Sequence, residues 1–371
     1  MKVLYIYRSL AVWGGIERVW VNKMNYLFKV YGYDVFMLTT CQGTHALPYP
    51  MEKGIHWDDL SIQFHWQYKY HGIYKLLDGY IRLRRFEKRL SDALNSINPD
   101  IIVCTTTDPV NSIVKVKGNI PLLVESHSDY LHTFGETGIK QRYYAHLLNK
   151  GLVKSSCIVT LTDGDANEWR DNNYNVEVIP NIVNLNEGVI SSHSSKHVIL
   201  VARFNFQKQI SDAIKIWAIV HRIHPDWILD IYGEGELKDE IQQQAGIVGG
   251  ILIHAPTCRI FDCYLNSSML ILTSLFEPFG LVMPEAMSCG LPVVSFDCPY
   301  GPADIITDGV DGFLIKNRDI NEFADRVCQL IEDRELRVRM GLAAVKSAQR
   351  YSADLIMPKW KELFERLCQK E

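Results

Sequence analysis

The stretch 269-MLILTSLFEPFGLVMPEAMSCGLPVVSFD-297 reads as strand, turn, helix and strand in quick succession. Met269–Thr273 and Val293–Phe296 are apolar on both faces, the pattern of strands covered by helices on each side. The helix between them stops at "CGLP", where Gly290 supplies the C′ residue. Pro284 is tolerated only in a first turn, where no N–H is needed, so the helix is expected to begin near Phe279–Leu281. Two carboxylates, Glu277 and Glu285, stand in this otherwise apolar run. A fold and a chemistry both have to account for them.

Outward from this unit the same alternation continues to both ends of the chain. Strand candidates are Val3–Tyr7, Val35–Thr40, Ile101–Thr105, Leu122–Ser126, Ile158–Leu161 and Val176–Ile179. They resume as Val198–Ala202, Leu229–Tyr232, Ile251–His254, Met269–Thr273, Val293–Phe296 and Phe313–Ile315. Strands alternating with helical patterns give parallel sheets in an α/β protein. The gap "PNIVNLNEGVISSHSSK", Pro180 to Lys196, is rich in Asn and Ser and lacks periodicity, and it reads as a linker between two doubly wound domains. At 371 residues the chain exceeds the size at which one core stops growing, about 250–300 residues, in keeping with two domains. The boundaries are 1–180, a linker at 181–196, 197–352, and a last helix in 353–371 expected to pack back toward the N-terminal domain.

Composition narrows the class. With 47% apolar and 22% charged residues the chain is an ordinary globular protein, and its net charge of −4 disfavours a dedicated nucleic-acid binder. Nine cysteines without a CxxC pair suggest reduced thiols. Cys258 and Cys263 have no second pair at metal-ligand spacing, so no zinc site is expected. No run approaches the ~18 apolar residues of a membrane span, and "MKVLYIYR" is too short for a signal peptide, so the expected location is the cytoplasm.

A helix that starts near Phe279–Leu281 leaves the amides of Gly280, Leu281 and Val282 free, which makes an anion site suited to phosphate. A carboxylate only accepts hydrogen bonds, so beside a phosphate it suits sugar hydroxyls, as when one carboxylate takes both hydroxyls of a ribose diol. Glu277 just before the helix and Glu285 one turn inside it therefore suggest a nucleotide-sugar. Taken singly, Glu285 could be a residue favoured by the helix dipole and Glu277 an exposed loop residue.

"EPFGLVMPE" resembles the Glu–seven residues–Glu motif of the family 4 retaining glycosyltransferases, and further segments fit in order over nearly the whole chain. The resemblance implies the GT-B fold, two Rossmann-like domains with a cleft between them that holds the active site. The 1–180 domain would be the acceptor side and 197–352 would bind the nucleotide-sugar. It also implies transfer of a sugar, with a UDP-sugar as the expected donor, to a hydroxyl of a glycan or lipid-linked glycan with retention of configuration, without metal or other cofactor. Such chemistry serves cell-surface polysaccharide or lipid-linked glycan synthesis. A nucleotide-sugar epimerase of the same fold and a non-catalytic nucleotide-sugar-binding protein are the alternatives.

The resemblance carries residue by residue. In "RSLAVWGGIERVW" Gly14 and Gly15 would face the donor phosphate and acceptor. In "LVARFNFQKQ" Arg203 and Lys208 resemble the cationic pair that holds the diphosphate and stabilises it as it leaves. Ala202 and Gln209 replace glycines common in the family, which leaves the path of that loop open. Gly233 in "IYGEGELKD" matches a Gly-acid-Gly turn beside the nucleotide, and "HAPTCRI" resembles the segment bordering the base. His127 in "LLVESHSDY" would lie near the reactive carbon of the sugar. The donor site would comprise Gly14, Gly15, Arg203, Lys208, Gly233, Glu277, Phe279, Gly280, Leu281, Val282 and Glu285, with His127, Glu277, Arg203 and Lys208 catalytic.

Two segments have competing readings. "TDGDANEW" holds an Asp163-Gly164-Asp165 triplet like a metal site, yet Thr162 and Asp165 also make a capping-box-like helix start, which is preferred. "YKYHGIYKLLDGYIRLRRFEKRL", Tyr68 to Leu90, places Lys69, Lys75, Arg82, Arg84, Arg85, Lys88 and Arg89 among aromatics. It reads either as a helix with a solvated face or as a contact with anionic lipid at the inner face of the plasma membrane.

Overall fold

In the computed structural model, which describes residues 1–135 and 138–369, the apolar runs of the first half form one parallel sheet. Its strands are β1 (Lys2–Tyr7), β2 (Asp34–Thr39), β3 (His56–Asp59), β4 (Ile101–Thr105), β5 (Leu122–Glu125), β6 (Cys157–Thr160) and β7 (Val176–Val178). They lie in the order β3-β2-β1-β4-β5-β6-β7. The central strands are buried along their length, as continuous apolar runs require. β3 has no such run in the sequence. It is a polar edge strand, "HWDD", with mostly exposed side chains, held by parallel pairing of His56 to Phe36 and of Asp59 to Thr39. Hydrophobic patterning has no access to an edge of this kind.

The second sheet runs β10-β9-β8-β11-β12-β13, also parallel. Its strands are β8 (His197–Val201), β9 (Ile228–Tyr232), β10 (Ile251–His254), β11 (Met269–Leu272), β12 (Val293–Phe296) and β13 (Gly312–Ile315). In each sheet the order reverses once, between β1 and β4 and between β8 and β11. Ligands of doubly wound sheets bind beyond the carboxyl ends of the strands at that reversal.

The chain divides into two units, Met1–Ile182 with Ala353–Glu371, and Val183–Ser352. Residues 183–196, from the Asn- and Ser-rich stretch, pack within the second unit: the Ser191 amide donates to the Cys289 carbonyl (2.8 Å) and its hydroxyl to Ser267 O (2.6 Å). The helix Ala353–Cys368 belongs to the first unit, although its sequence neighbours are in the second. Its apolar positions Ile356, Met357, Trp360, Leu363, Phe364 and Leu367 recur at helical spacing and are buried. Tyr26 donates to Asp354 (2.8 Å) and Arg366 pairs with Glu177 (2.5 Å), pinning both ends. The last two residues of the 353–371 segment lie outside the described residues.

Candidate functional site

In the second unit the predicted donor residues all follow carboxyl ends of strands. The loop after β8 carries Arg203 and Lys208, the turn after β9 carries Gly233, and the loop after β11 carries Glu277 through Val282. These three segments are stitched together. The Phe204 amide donates to Glu234 O (2.9 Å), and a Cβ at Gly233 would lie 1.9 Å from the Ala202 carbonyl oxygen. Only glycine permits that approach. The Leu275 amide donates to Gln207 O (2.8 Å), Gln207 Nε2 to Phe276 O (2.9 Å) and the Thr273 hydroxyl to Lys208 O (3.1 Å). Arg318 closes the back of the loop by donating to Ser274 O (2.8 Å), Thr273 O (3.0 Å) and Asp212 (2.7 Å). Sequence reasoning passed over Arg318, whose neighbourhood carries no motif.

Glu277 lies inside this scaffold. Its side chain is 4% exposed, and Oε1 accepts from Lys208 Nζ (2.5 Å) and from the Ser274 hydroxyl (2.6 Å). Its backbone is clamped as well: the amide donates to Pro299 O (2.6 Å), and the amides of Tyr300 and Gly301 donate to its carbonyl (3.0 and 2.8 Å). A buried charge needs a partner, and Lys208 supplies one. An ammonium has three N–H donors, so bonding to Glu277 leaves Lys208 two more. Arg203, by contrast, is exposed.

The helix after the turn spans Val282–Ser288 and begins just beyond the predicted start. Its first bonds run from Met283 N to Gly280 O (3.0 Å) and from Glu285 N to Leu281 O (3.2 Å), so the amides of Gly280, Leu281 and Val282 precede them. Pro284 falls in the first turn. Gly280 has φ +90°, a conformation that favours glycine, and so the turn before the helix depends on it. Glu285 is buried. The ring of Phe279 packs edge-on against Tyr351 (5.2 Å), so its side chain serves the core and only its backbone faces the turn.

In the first unit, Gly14 and Gly15 start the helix Gly15–Lys29, and His127 follows β5. The helix reaches His127 through Trp20, whose indole N–H lies 3.1 Å from both Glu125 Oε2 and His127 Nε2. His127 Nε2 is 3.0 Å from Glu125 Oε2, so the tautomer protonated on Nε2 donates to the carboxylate and leaves Nδ1 as an acceptor. The other Glu125 oxygen pairs with Lys23, and both side chains are 2% exposed. Trp360 covers Lys23, with the ammonium 3.7 Å from a ring centroid. Burial pulls the Lys23 ammonium below the ordinary lysine range despite Glu125. Burial raises the Glu125 carboxyl, but Lys23 and His127 outweigh it and leave it below the usual carboxylate range. Glu125 and Lys23, both absent from the sequence reading, thus hold the histidine that it selected.

A further missed residue is Asp108, in the loop after β4. Its Oδ2 accepts from the Thr105 amide and hydroxyl (both 2.8 Å), while Oδ1 is buried without a partner among the described residues. Burial raises its carboxyl to about 7, against opposing bonds from Thr105 and the charge of Arg8. "TDPV" gives no hint of this in the sequence.

The two double readings separate. Thr162 accepts from the Asp165 amide and caps the Asp163–Asp171 helix. Both Asp165 oxygens are taken, by the Tyr130 amide (2.8 Å) and the Trp169 indole (3.2 Å). On the basic segment, Arg82 is not a surface cation. It is 8% exposed, held by Asp78 (2.6 Å) and donating to Ile62 O (2.7 Å), because its spacing turns it under the helix.

Comparison with known proteins bears on the family and the fold. Residues 13–187 match the model "Glycosyltransferase Family 4" and residues 187–347 match "Glycosyl transferases group 1". The chain is 25% identical to the amylovoran biosynthesis glycosyltransferase AmsD of Erwinia amylovora over 98% of this chain and 99% of that one. It is 29% identical to a poly(ribitol-phosphate) alpha-N-acetylglucosaminyltransferase of Staphylococcus aureus across 64% of its own length, spanning 49% of that protein. Of the exopolysaccharide phosphotransferase SCO2592 of Streptomyces coelicolor, 26% identical, it spans 29%. Its fold matches that of S. aureus TarM, solved with fondaparinux, alpha-GlcNAc-glycerol and UDP, at a TM-score of 0.76 and 18% identity over 98% of this chain and 99% of that one. The first two of these relatives are glycosyltransferases by name and SCO2592 is a phosphotransferase, and the two parallel sheets are those of the GT-B fold.

Proposed function

Because the chain belongs to the family 4 glycosyltransferases of GT-B fold, we propose that it moves a sugar from a UDP-sugar to a hydroxyl of a growing cell-surface glycan, with retention of configuration. The observation that carries this reading is the pairing of partly exposed Lys208 with buried Glu277 at the carboxyl edge of β11. Diphosphate gains charge as the glycosidic bond breaks, and a lysine already fixed by a carboxylate stabilises it without reorganising. The two remaining N–H donors of Lys208 and exposed Arg203 would face the phosphates, together with the amides of Gly280 to Val282. Glu285 would take the ribose diol. The second oxygen of Glu277 would take a hydroxyl of the transferred sugar.

Retention comes with the family reading, and the state of Glu277 bears only on its route. A carboxylate whose Oε1 already accepts from an ammonium and a hydroxyl is a poor nucleophile for double displacement. The acceptor would attack on the face that the diphosphate leaves, and a donor phosphate oxygen would take its proton. UDP as the nucleoside diphosphate is supported by TarM, a protein of the same fold solved with UDP. No step calls for a metal.

The test is a thermal-shift screen with UDP, GDP, ADP and UDP-sugars, followed by assays of slow donor hydrolysis with each positive. UDP and a UDP-sugar should raise the melting temperature, since a ligand that binds only the folded state stabilises it. A shift with GDP or ADP alone would refute the choice of base. Turnover of UDP-sugar to its epimer without an acceptor would instead establish the epimerase reading.

A further inference from the structure

The segment Phe64–Lys69 and the helix Gly72–Ile97 that follows carry a surface the transfer reaction does not use. From Arg82 onward the helix is anchored. Arg82, Phe86, Glu87, Leu90 and Leu94 are buried, and Glu87 takes hydrogen bonds from Ser112 (2.9 Å) and Lys115 (3.0 Å) of the neighbouring helix Val110–Val116. Before Arg82 the helix stands out of the fold. Ile73, Tyr74, Leu76, Leu77, Tyr80 and Ile81 are each more than half exposed, gathered within an arc of about 160° of the helix. An apolar cluster of this kind is not the solvated face of an ordinary surface helix.

The cations are arranged in relation to that cluster. Lys75 lies 3.9 Å from the centroid of Tyr68, which joins the helix to the short segment, and within that segment Lys69 lies 4.4 Å from the centroid of Trp66. At 100° per residue, Ile73, Leu77 and Tyr80 align with Arg84 and Lys88, while Tyr74 and Ile81 align with Arg85. The apolar tip therefore spans about 12 Å of axis, and the ring of cations begins one turn further on. Residues 64–90 hold seven cations against two carboxylates in a chain whose net charge is −4.

We propose that this face docks on an anionic lipid bilayer, the aliphatic and aromatic tip entering the headgroup boundary and Arg85, Lys88 and their neighbours meeting lipid phosphates. Interfacial helices lie in the plane of the bilayer surface and sink such an apolar face roughly 5–10 Å into it. Charge complementarity selects this occupant: a second copy of the chain would set basic surface against basic surface, and a nucleic acid has no use for Ile73, Leu76, Leu77 and Ile81. The inference stands on this surface alone and does not depend on which sugar is moved.

The test is flotation of the full chain with phosphatidylcholine vesicles, with and without phosphatidylglycerol, at low and high salt. The chain should float with anionic vesicles at low salt and stay behind with neutral ones. Arg85→Gln and Lys88→Gln should each weaken partitioning roughly five-fold. The triple variant Ile73→Ser, Leu77→Ser, Tyr80→Ser should abolish it with an unchanged melting temperature, because these side chains touch little of the fold. No flotation of the parent chain, or full flotation of the triple variant, overturns the proposal. So does salt-sensitive dimerisation in sedimentation without lipid binding, or retention on immobilised RNA that the triple variant keeps.

Discussion

Replacing Glu277 by Gln removes one charge from a side chain that is 4% exposed and keeps its shape. The Gln oxygen can still accept from Ser274 and Lys208, at the present distances of 2.6 and 2.5 Å, so the loop after β11 should stay folded. What is lost is the charge felt by the transferred sugar. A hydrogen bond to a charged group contributes about 1.5–3 kcal/mol, or roughly 10- to 150-fold in rate where the interaction strengthens in the transition state. Glu277→Gln should therefore lower kcat by that factor and leave UDP affinity nearly unchanged. Glu285→Gln should raise the donor KM and weaken UDP with kcat little altered, because a ribose diol is held equally in substrate and transition state.

Lys208→Met completes the set. It strands the Glu277 carboxylate with Ser274 alone, and breaking a buried pair costs about 3–5 kcal/mol of stability. With the Lys208 side chain 19% exposed, the cost should fall at the lower end, about 3 kcal/mol. Both UDP affinity and kcat should fall, since the cation serves bound and departing diphosphate alike. Calorimetric UDP titration, steady-state kinetics and urea unfolding of all three variants separate the roles. If Glu277→Gln loses as much UDP affinity as Lys208→Met, the glutamate acts only by holding the lysine, and the sugar contact is wrong.

Asp108→Asn should leave stability unchanged near pH 4 and raise it relative to the parent as pH climbs toward 7. The folded pKa of about 7 against the ordinary 3.8 means the native state holds a proton that the unfolded chain has released, so parental stability drops across that window, by about 4 kcal/mol at most. Urea midpoints measured across the window check this, and parallel curves would refute it. Trp360→Ala should cost about 3–5 kcal/mol, because it empties a buried site and uncovers Lys23, and loss of only a few tenths in urea unfolding would contradict that packing. Excess EDTA should leave the transfer rate unchanged, whereas activity lost and regained with Mn²⁺ would return Asp163 and Asp165 to consideration.

The sequence was most legible where burial is continuous. Twelve apolar runs locate twelve strands to within a residue or so at each end, since a strand covered on both faces must be apolar throughout. It was silent where backbone bonds act without burial, as at polar β3. On the basic segment, composition identified the cations but not their directions. Arg82 and Arg85 read alike in "RLRRFEK", and only the packing of the helix shows that one is bound to Asp78 beneath it while the other faces out. The site followed the same division. Glu277 and Lys208 could be picked from motifs, but the bond between them joins residues 69 positions apart, beyond the reach of any local pattern.

That bond has a counterpart in the first unit, and the pair explains why both sites lie where they do. Lys23–Glu125 and Lys208–Glu277 each join a lysine to a buried glutamate at or beyond the carboxyl end of a strand next to the reversal of its sheet or one strand removed. Four such charges cost desolvation that hydrophobic residues of like volume would avoid. A core selected only for stability would not keep them, and each pair has a candidate site residue in direct contact or within itself. Glu125 lies 3.0 Å from His127 Nε2, and Lys208 is the cation proposed above for the donor phosphates. If the Lys23–Glu125 pair exists to orient His127, replacing both residues with Met and Leu should leave the fold as stable as before or more so and yet depress turnover. Urea unfolding and kinetics on that double variant decide the point. A variant that unfolds more easily but turns over normally would make the pair an element of the core.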